Sequence, residues 1–280
     1  MKTLVAILTS GKIEKLQRCI DSVLLQAEPV NIVVVINTLD ERYENLASFL
    51  SAEYGIESVI TESNGKPGKG KNSLMRHFLD TEFTHVIPVD GDDFLMPDAL
   101  SSLEDTAIQE NADVIGLVDG LALYNNRYLK VEEWLCADEY FDRVLDSIAE
   151  KDLKKFNLHI EKIRRTSTEH SNFFNRLVMI SKKAAKLISY DEEMGGAEDV
   201  RQSLLLKLAH YDGIIRYVLL SSEHVYIHDV TSPGVFFQVL CKCDPTHERK
   251  LFWNNITVAQ INTLKSFQLE CVNDQNRFSS

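Results

Sequence analysis

Short apolar runs alternate with segments of helical period over the first 120 residues of the chain. Runs rich in Val, Ile and Leu predict buried strands, and segments with apolar residues at three- and four-residue steps predict helices that pack one face on a sheet. The alternation therefore predicts an α/β fold, in which a mostly parallel sheet is flanked by helices. The predicted strands are Thr3–Leu8, Asn31–Ile36, Glu57–Ile60, Thr84–Val89 and Asp113–Leu117.

A different pattern follows residue 120, with a turn, a long polar segment and a second set of strands and helices. No internal repeat or low-complexity linker interrupts the chain, which predicts one compact domain with a C-terminal extension. The further predicted elements are a turn at Tyr124–Tyr128, helical segments at Glu132–Lys155, Lys182–Leu187 and Ala197–His210, and strands at Arg176–Ile180 and His224–Ile227.

Composition and charge narrow the class of protein. The formal net charge of −12 argues against a general nucleic-acid binder, because such binding depends on Lys and Arg that neutralise phosphates. No apolar run approaches the length of a membrane span, so we expect a cytoplasmic protein without a transmembrane anchor. An odd number of cysteines in unrelated contexts favours a reducing compartment over a disulfide framework. These cysteines are Cys19, Cys136, Cys241, Cys243 and Cys271.

Three carboxylates follow the fourth predicted strand, in the sequence Asp90-Gly91-Asp92-Asp93. Open α/β sheets bind ligands beyond the carboxyl ends of their strands. Carboxylates this close repel one another unless a cation lies among them, and an oxygen-rich site suits Mg²⁺ or Mn²⁺. The alternative interpretation is a solvated acidic turn.

The surroundings of this motif favour the metal site, because a strand, D-x-D-D, a short apolar step, Pro97 and a helix follow in that order. This order resembles the metal-binding region of the GT-A glycosyltransferases, family 2-like. Four other segments resemble the same family in order and spacing, over about residues 1–230. They are Thr9-Ser10 with the helix containing Leu16, Arg18, Ile20 and Ser22, the strand 33–37 with Asp40, the segment Gly68–Asn72, and Gly195–Asp199 at a helix start.

The resemblance implies a Rossmann-like GT-A domain over residues 1–230 and a C-terminal extension over 231–280. Within the domain, residues 1–120 would be the nucleotide-sugar-binding half and 121–230 the acceptor half. The implied activity is metal-dependent transfer of a sugar from a nucleotide-diphosphate donor to an acceptor hydroxyl, with inversion. The resemblance favours a UDP-sugar as this donor. A glycan and a hydroxymethylated DNA base are the candidate acceptors. The basic stretch 154–165 is a candidate phosphate contact for DNA, or alternatively a solvated helix face.

The resemblance also assigns roles to individual residues. Thr9, Asn37, Asp40 and Lys71 would bind the nucleotide and Asp90 the ribose, Asp92 would bind the metal, and Asp199 would be the catalytic base with Glu198 beside it.

His228 lies just past the end of the last predicted strand. A C-terminal histidine binds the metal in several GT-A enzymes, so the resemblance favours His228 as a second metal ligand. The alternative is a half-buried histidine satisfied by the neighbouring Asp229.

Two other functions compete with this interpretation. Gly65–Asn72 is one residue away from a Walker A loop, G-x-x-x-x-G-K-[ST], which would indicate a phosphotransferase. The mismatch falls at a magnesium ligand, because Asn72 replaces the Ser or Thr. A catalytically inactive GT-A binding module is the other alternative, since a fold can be retained after its activity is lost.

Overall fold

The computed structural model describes residues 1–124, 127–130, 176–196, 198–221, 223, 225–231 and 245–266. Several sequence predictions lie outside these residues: the helical segment 132–155, the basic stretch 154–165, the centre of the predicted turn, and all of the cysteines except Cys19. Cys19 is a buried free thiol. Among the described helices, none combines the length and the apolarity needed to cross a membrane.

The described elements alternate strand and helix through the first half of the chain. The strands are β1 (Thr3–Thr9), β2 (Asn31–Ile36), β3 (Glu57–Ile60), β4 (His85–Asp90), β5 (Phe94–Leu95), β6 (Val114–Leu117), β7 (Leu121–Tyr124), β8 (Arg127–Lys130), β9 (Leu177–Ser181), β10 (Tyr217–Leu220) and β11 (Tyr226–Asp229). The helices are α1 (Ile13–Leu24), α2 (Glu41–Glu53), α3 (Pro67–Asp80), α4 (Ala99–Gln109), α5 (Lys182–Ala185), α6 (Glu198–Tyr211), α7 (Pro245–Phe252) and α8 (Val258–Ser266).

A seven-stranded sheet forms the centre of the fold, in the order β10-β6-β9-β4-β1-β2-β3. Its pairs are parallel except those of β9, which runs antiparallel to both β4 and β6. The prediction of a mostly parallel sheet flanked by helices is therefore confirmed. Because β9 pairs with β4, residues from late in the chain lie beside β4.

Helices cover both faces of this sheet, and β1 illustrates how its side chains divide between them. Val5 and Ile7 point into a core with α1, α2 and α4, while Leu4 and Ala6 point into a second core with α3, α5 and α6. Successive side chains of a strand point to opposite faces, so a strand covered on both sides is apolar throughout. This explains why the predicted strands are continuous apolar runs.

A smaller sheet, β5-β11-β7-β8, lies beyond the end of β4. In it β11 pairs antiparallel with β5 and parallel with β7, so Ile227 lies opposite both Phe94 and Leu121. Because β5 follows the acidic motif directly, this pairing brings β11 next to the three carboxylates.

The strands predicted in the first half agree with the structure to within one residue at each end, but four other elements, β5, β10, β11 and α3, differ from the predictions. His228 was expected past the end of a strand, yet it lies inside β11 because pairing with β7 extends that strand to Asp229. β5 and β10 are not among the predicted strands. The sequence pattern predicts a helix at Asn72–Leu79, but α3 begins five residues earlier, at Pro67. Pro67 occupies the first helical turn, where its missing N–H is not needed.

The two glycines in the first turns of α3 allow close packing against neighbouring segments. A Cβ at Gly68 would collide with the backbone carbonyl oxygen of Asp191, and a Cβ at Gly70 would lie 2.7 Å from Cγ of Asn37. Tertiary packing therefore outweighs the poor helix propensity of glycine at both positions.

We expect Gly70→Ala to lower the free energy of unfolding by about 1–3 kcal/mol, as overpacking does. Alanine would otherwise stabilise a helix interior by about 1 kcal/mol relative to glycine, so the sign of the effect is diagnostic. Urea denaturation measures it. Gly11→Ala is the matched control, because no atom lies within 4 Å of a Cβ at that position. A Gly70→Ala protein more stable than the parent would contradict the close contact.

Candidate active site

The acidic motif forms a tight turn at the carboxyl end of β4. The N–H of Gly91 donates to the carbonyl oxygen of Leu8 at 2.7 Å, and the N–H of Asp93 donates to the carbonyl oxygen of Asp90 at 2.9 Å. A Cβ at Gly91 would lie 2.7 Å from Cβ of Thr9, so only glycine allows this approach to the end of β1. The turn therefore holds three carboxylates at the edge of the sheet where open α/β folds bind ligands.

Asp90 is neutralised by an arginine that sequence reasoning missed. Arg176, the residue before β9, donates from Nη1 to Oδ2 of Asp90 at 2.7 Å. Its guanidinium also lies over the ring of Tyr226, 4.2 Å from the centroid. Burial alone would raise the pKa of Asp90, but Arg176 and then Lys71 lower it well below its usual range. Asp90 is consequently a carboxylate at all physiological pH values.

Asp93 is a buried hydrogen-bond acceptor for β11. Its Oδ2 accepts from the hydroxyl of Tyr226 at 2.8 Å and lies 3.1 Å from Nδ1 of His228, and its Oδ1 accepts from the N–H of Asp229 at 3.0 Å. Tyr226 in turn accepts a hydrogen bond from the N–H of Asp90 at 3.2 Å. The smaller sheet is therefore fastened to the acidic turn through Asp93.

Asp92 has no such partner: it forms no ion pair within 4 Å with any described residue. Burial, then Asp93 and Asp90, raise the pKa of Asp92 to about 7, and Lys15 offsets this only in part. No group of three or more His, Cys, Asp or Glu side chains is arranged to hold a metal ion in the described part of the chain. The negative charge of Asp92 is thus not balanced by an ion pair, and the described residues do not form a ready-made metal site.

A second charged group joins α3 to the start of α6. Nζ of Lys71 lies 2.6 Å from Oε1 of Glu198 and 3.8 Å from Oδ2 of Asp199, and 5.6 Å from the ring centroid of Tyr190. Burial alone lowers the pKa of Lys71, but the two carboxylates raise it well above its usual value. Glu198 is buried, whereas the side chain of Asp199 is 40% exposed. Lys71 is therefore an ammonium ion that belongs mainly to Glu198.

A small cavity with a volume of about 30 Å³, partly open to solvent, lies between these two groups. It brings together three of the predicted site residues, Lys71, Asp90 and Asp199, although they come from three separate elements. Arg176 and Tyr190, which were not predicted, complete the polar part of its wall. The remaining wall is apolar and consists of Leu8, Leu74, Met75, Pro88, Val89 and Leu177.

The other predicted nucleotide ligands do not line this cavity. Thr9 is buried and its hydroxyl contacts that of Tyr43. Asn37 is buried too, with Oδ1 accepting from Thr61 at 2.8 Å and Nδ2 donating to the carbonyl oxygen of Lys66 at 3.1 Å. Asp40 is exposed and caps α2, accepting from the N–H groups of its first turn. Their contacts with a nucleotide stay predictions.

Asn72 has a role in the structure that accounts for the mismatch to a Walker A loop. Its side-chain amide donates to the carbonyl oxygen of Tyr190 and accepts from the N–H of Tyr190, both at 2.9 Å. Residues 67–72 are already helical, so they do not form the phosphate-binding loop that such a motif requires. The structure therefore gives no support to the phosphotransferase alternative.

The family described as Glycosyl transferase family 2 matches residues 5–161 of the chain. No curated protein matches it in sequence. Crystal structures of TarS from S. aureus share its fold at low identity. TarS 1-349 in complex with UDP-GlcNAc has a TM-score of 0.61 and 16% identity, and the match covers 94% of this chain and 70% of that one. TarS 1-349 in complex with UDP has a TM-score of 0.52 and 18% identity, covering 96% and 73%.

A longer TarS structure has a TM-score of 0.53 and 17% identity, and the match covers 95% of this chain but 46% of that one. The chain thus spans less than half the length of this TarS chain. Together with the family match, these similarities confirm the predicted GT-A fold.

We expect Lys71→Met to lower the free energy of unfolding by about 3–5 kcal/mol, because Glu198 would remain buried without its cation. Adding Glu198→Gln should recover a large part of the loss, since a neutral amide is less costly to bury. Urea denaturation at pH 7.5 measures both. Lys69→Met is the matched control: its Nζ lies 3.9 Å from the exposed Glu62, and such pairs contribute little. A Lys71→Met protein as stable as the parent would rule out a strong buried pair.

Proposed function

Because the chain belongs to glycosyl transferase family 2, we propose that it transfers a sugar from a nucleotide-diphosphate donor to an acceptor hydroxyl, with inversion at the anomeric carbon. The observation that carries the proposal is the cavity at the carboxyl edge of the sheet, where Lys71, Asp90 and Asp199 meet. Asp199 offers this cavity a carboxylate that could accept the proton of an acceptor hydroxyl, while Asp90 and Lys71 offer polar groups to a donor.

The donor that we propose is a UDP-sugar. The support is the similarity of this fold to TarS 1-349 in complex with UDP-GlcNAc. Thr9, Asn37, Asp40 and Lys71 are the proposed nucleotide ligands, as the family resemblance implies, with Asp90 at the ribose. The ion pair between Arg176 and Asp90 supports that role, because it keeps Asp90 ionised and able to accept hydrogen bonds from hydroxyl groups.

The donor site uses a divalent cation, Mn²⁺ or Mg²⁺, in this proposal. The residues fit such an ion by their chemistry: Asp92 is a carboxylate without a cationic partner beside two further carboxylates, and oxygen ligands suit both ions. Asp92 and His228 are the proposed ligands. When bound, the cation supplies Lewis-acid assistance to departure of the diphosphate.

The base that we propose is Asp199. Its side chain is 40% exposed and lines the cavity, whereas Glu198 is buried and paired with Lys71 at 2.6 Å. The first turn of a helix favours the ionised form of a carboxylate, and a base must be ionised to accept a proton. Asp199 would take the proton of the acceptor hydroxyl as that oxygen attacks the anomeric carbon.

The acceptor is a hydroxyl group of a glycan or of a hydroxymethylated base in DNA. An acceptor screen with the best donor separates the two: transfer to oligosaccharides but not to hydroxymethylated DNA supports the glycan, and the reverse result supports DNA. If donor is bound but neither transferred nor hydrolysed, the chain would instead be an inactive binding module.

We expect Asp92→Asn to abolish the dependence of UDP binding on Mn²⁺, because the amide removes the charge that attracts the cation. Isothermal titration calorimetry with and without Mn²⁺ measures the effect. Asp98→Asn is the matched control, since it removes an exposed carboxylate that makes no capping hydrogen bond at the start of α4. If the parent protein bound UDP with the same affinity with and without Mn²⁺, the metal assignment would be refuted.

We expect Asp199→Asn to bind donor normally but to lose transfer by about 10²- to 10⁴-fold, the usual effect of removing a general base. An amide can still begin a helix, so the fold should survive. The initial rate of sugar transfer and the affinity for UDP are measured together. Asp212→Asn, at the far end of the same helix, controls for the change of charge. Transfer within a few-fold of the parent would exclude Asp199, and Glu198 would then be tested.

A further inference from the structure

Asp93 has its carboxylate committed to donors from β11. Both of its oxygens are occupied, Oδ2 by the hydroxyl of Tyr226 and Nδ1 of His228, and Oδ1 by the N–H of Asp229. Asp93 is also buried, with a relative exposure of 6%. It therefore has little capacity to coordinate a metal ion, although it is part of the acidic motif.

The contact with His228 determines where the histidine carries its proton. An ionised carboxylate only accepts hydrogen bonds, so the 3.1 Å contact requires a proton on Nδ1 of His228. A neutral imidazole carries one proton, and Nε2 is then a bare nitrogen with a lone pair. The ring of Tyr226, with its centroid 5.1 Å from that of His228, packs beside the imidazole.

We propose that Asp93 is a positioning residue that selects the Nδ1–H tautomer of His228 and thereby presents Nε2 as a ligand nitrogen for the divalent cation. The inference rests on the proposed function for the cation, but the tautomer itself does not. Histidines that bind metals usually donate their second N–H to such a carboxylate or carbonyl oxygen.

The three carboxylates of the motif then have three different roles. Asp90 is paired with Arg176 at 2.7 Å, Asp93 lies 3.9 Å from the same guanidinium and accepts from His228, and Asp92 alone forms no ion pair within 4 Å with a described residue. The direct ligands would be Asp92 and His228. Only one of the three carboxylates of the motif would then bind the cation, because the other two have partners of their own.

The tautomer can be measured on the full chain without metal. We expect long-range ¹H–¹⁵N NMR spectra at pH 8 to show His228 with a protonated Nδ1 and a bare Nε2, with the signals assigned by comparison with His228→Gln. In Asp93→Asn the N–H of Asp229 still needs an oxygen at Oδ1, so the amide nitrogen faces His228 and donates to Nδ1. We therefore expect that variant to carry the proton on Nε2.

Tyr226→Phe is the matched control, because it removes another donor to the same Oδ2 and leaves the pair of Asp93 and His228 intact. It should keep the parent tautomer. Protonation of Nε2 in the parent protein would overturn the proposal, and so would an unchanged tautomer in Asp93→Asn. Because the first of these readouts needs no substitution at Asp93, the proposal is still testable if Asp93→Asn does not fold.

Mn²⁺ affinity, measured by electron paramagnetic resonance, tests the consequence for the cation. Asp93→Asn should weaken Mn²⁺ binding by about 10- to 100-fold, as is typical for groups that orient a ligand. His228→Ala should weaken it at least as much, and the double variant no more than His228→Ala alone. Full Mn²⁺ affinity in Asp93→Asn would refute the positioning role. Absence of Mn²⁺ binding in the parent would instead refute the proposed cation, with the tautomer still as predicted.

Discussion

Three carboxylates within four residues at the end of a buried strand are the electrostatic constraint on which the rest of the site depends. Like charges at this distance disfavour one another, and burial adds to the cost. The carboxylates have different partners in the structure. Asp90 is paired with Arg176, and Asp93 accepts hydrogen bonds from donors of β11. Burial, followed by the charges of Asp93 and Asp90, raises the pKa of Asp92 to about 7. This uncompensated carboxylate is the observation that supports the proposed cation site.

Both partners reach the acidic turn through unusual strand placements. Arg176 arrives because β9 enters the sheet antiparallel between β4 and β6, and Tyr226 and His228 arrive because β11 pairs with β5. Each of these contacts joins residues more than 80 positions apart in the chain. The geometry of the turn is therefore a property of the whole fold, although its residues are consecutive.

Sequence patterns predicted the local parts of this structure well and the long-range parts poorly. Continuous apolar runs identified the strands of the first half, because a strand buried on both faces has little freedom of composition. The family resemblance singled out Asp90 and Asp199, and both line the cavity, although their roles stay predictions. Arg176 carried no local signal, because nothing before β9 reveals that this strand pairs with β4.

The predicted start of α3 was wrong for a related reason. Glycine normally disfavours a helix interior, and the predicted helix therefore began after Gly68 and Gly70, at Asn72. These two glycines lie in close contact with Asp191 and Asn37. The local sequence does not reveal these contacts, because they depend on the packing of distant segments. The same contacts account for Asn72, whose amide holds the backbone of Tyr190 rather than a phosphate.

The pair of carboxylates at the start of α6 presents the opposite problem to that of the acidic turn, because here a cation is available and must be shared. A direct ion pair would lower the basicity of a proton acceptor, yet a carboxylate without any neighbouring cation would protonate more readily as it is buried. Lys71 lies 2.6 Å from Glu198 and 3.8 Å from Asp199. Glu198 thus receives the hydrogen bond, while Asp199 lies farther from the ammonium group, accepts at Oδ1 from the N–H of Val200 at 2.7 Å, and has a side chain that is 40% exposed. Two adjacent carboxylates are in this way made unequal by about one ångström of separation from a single ammonium group.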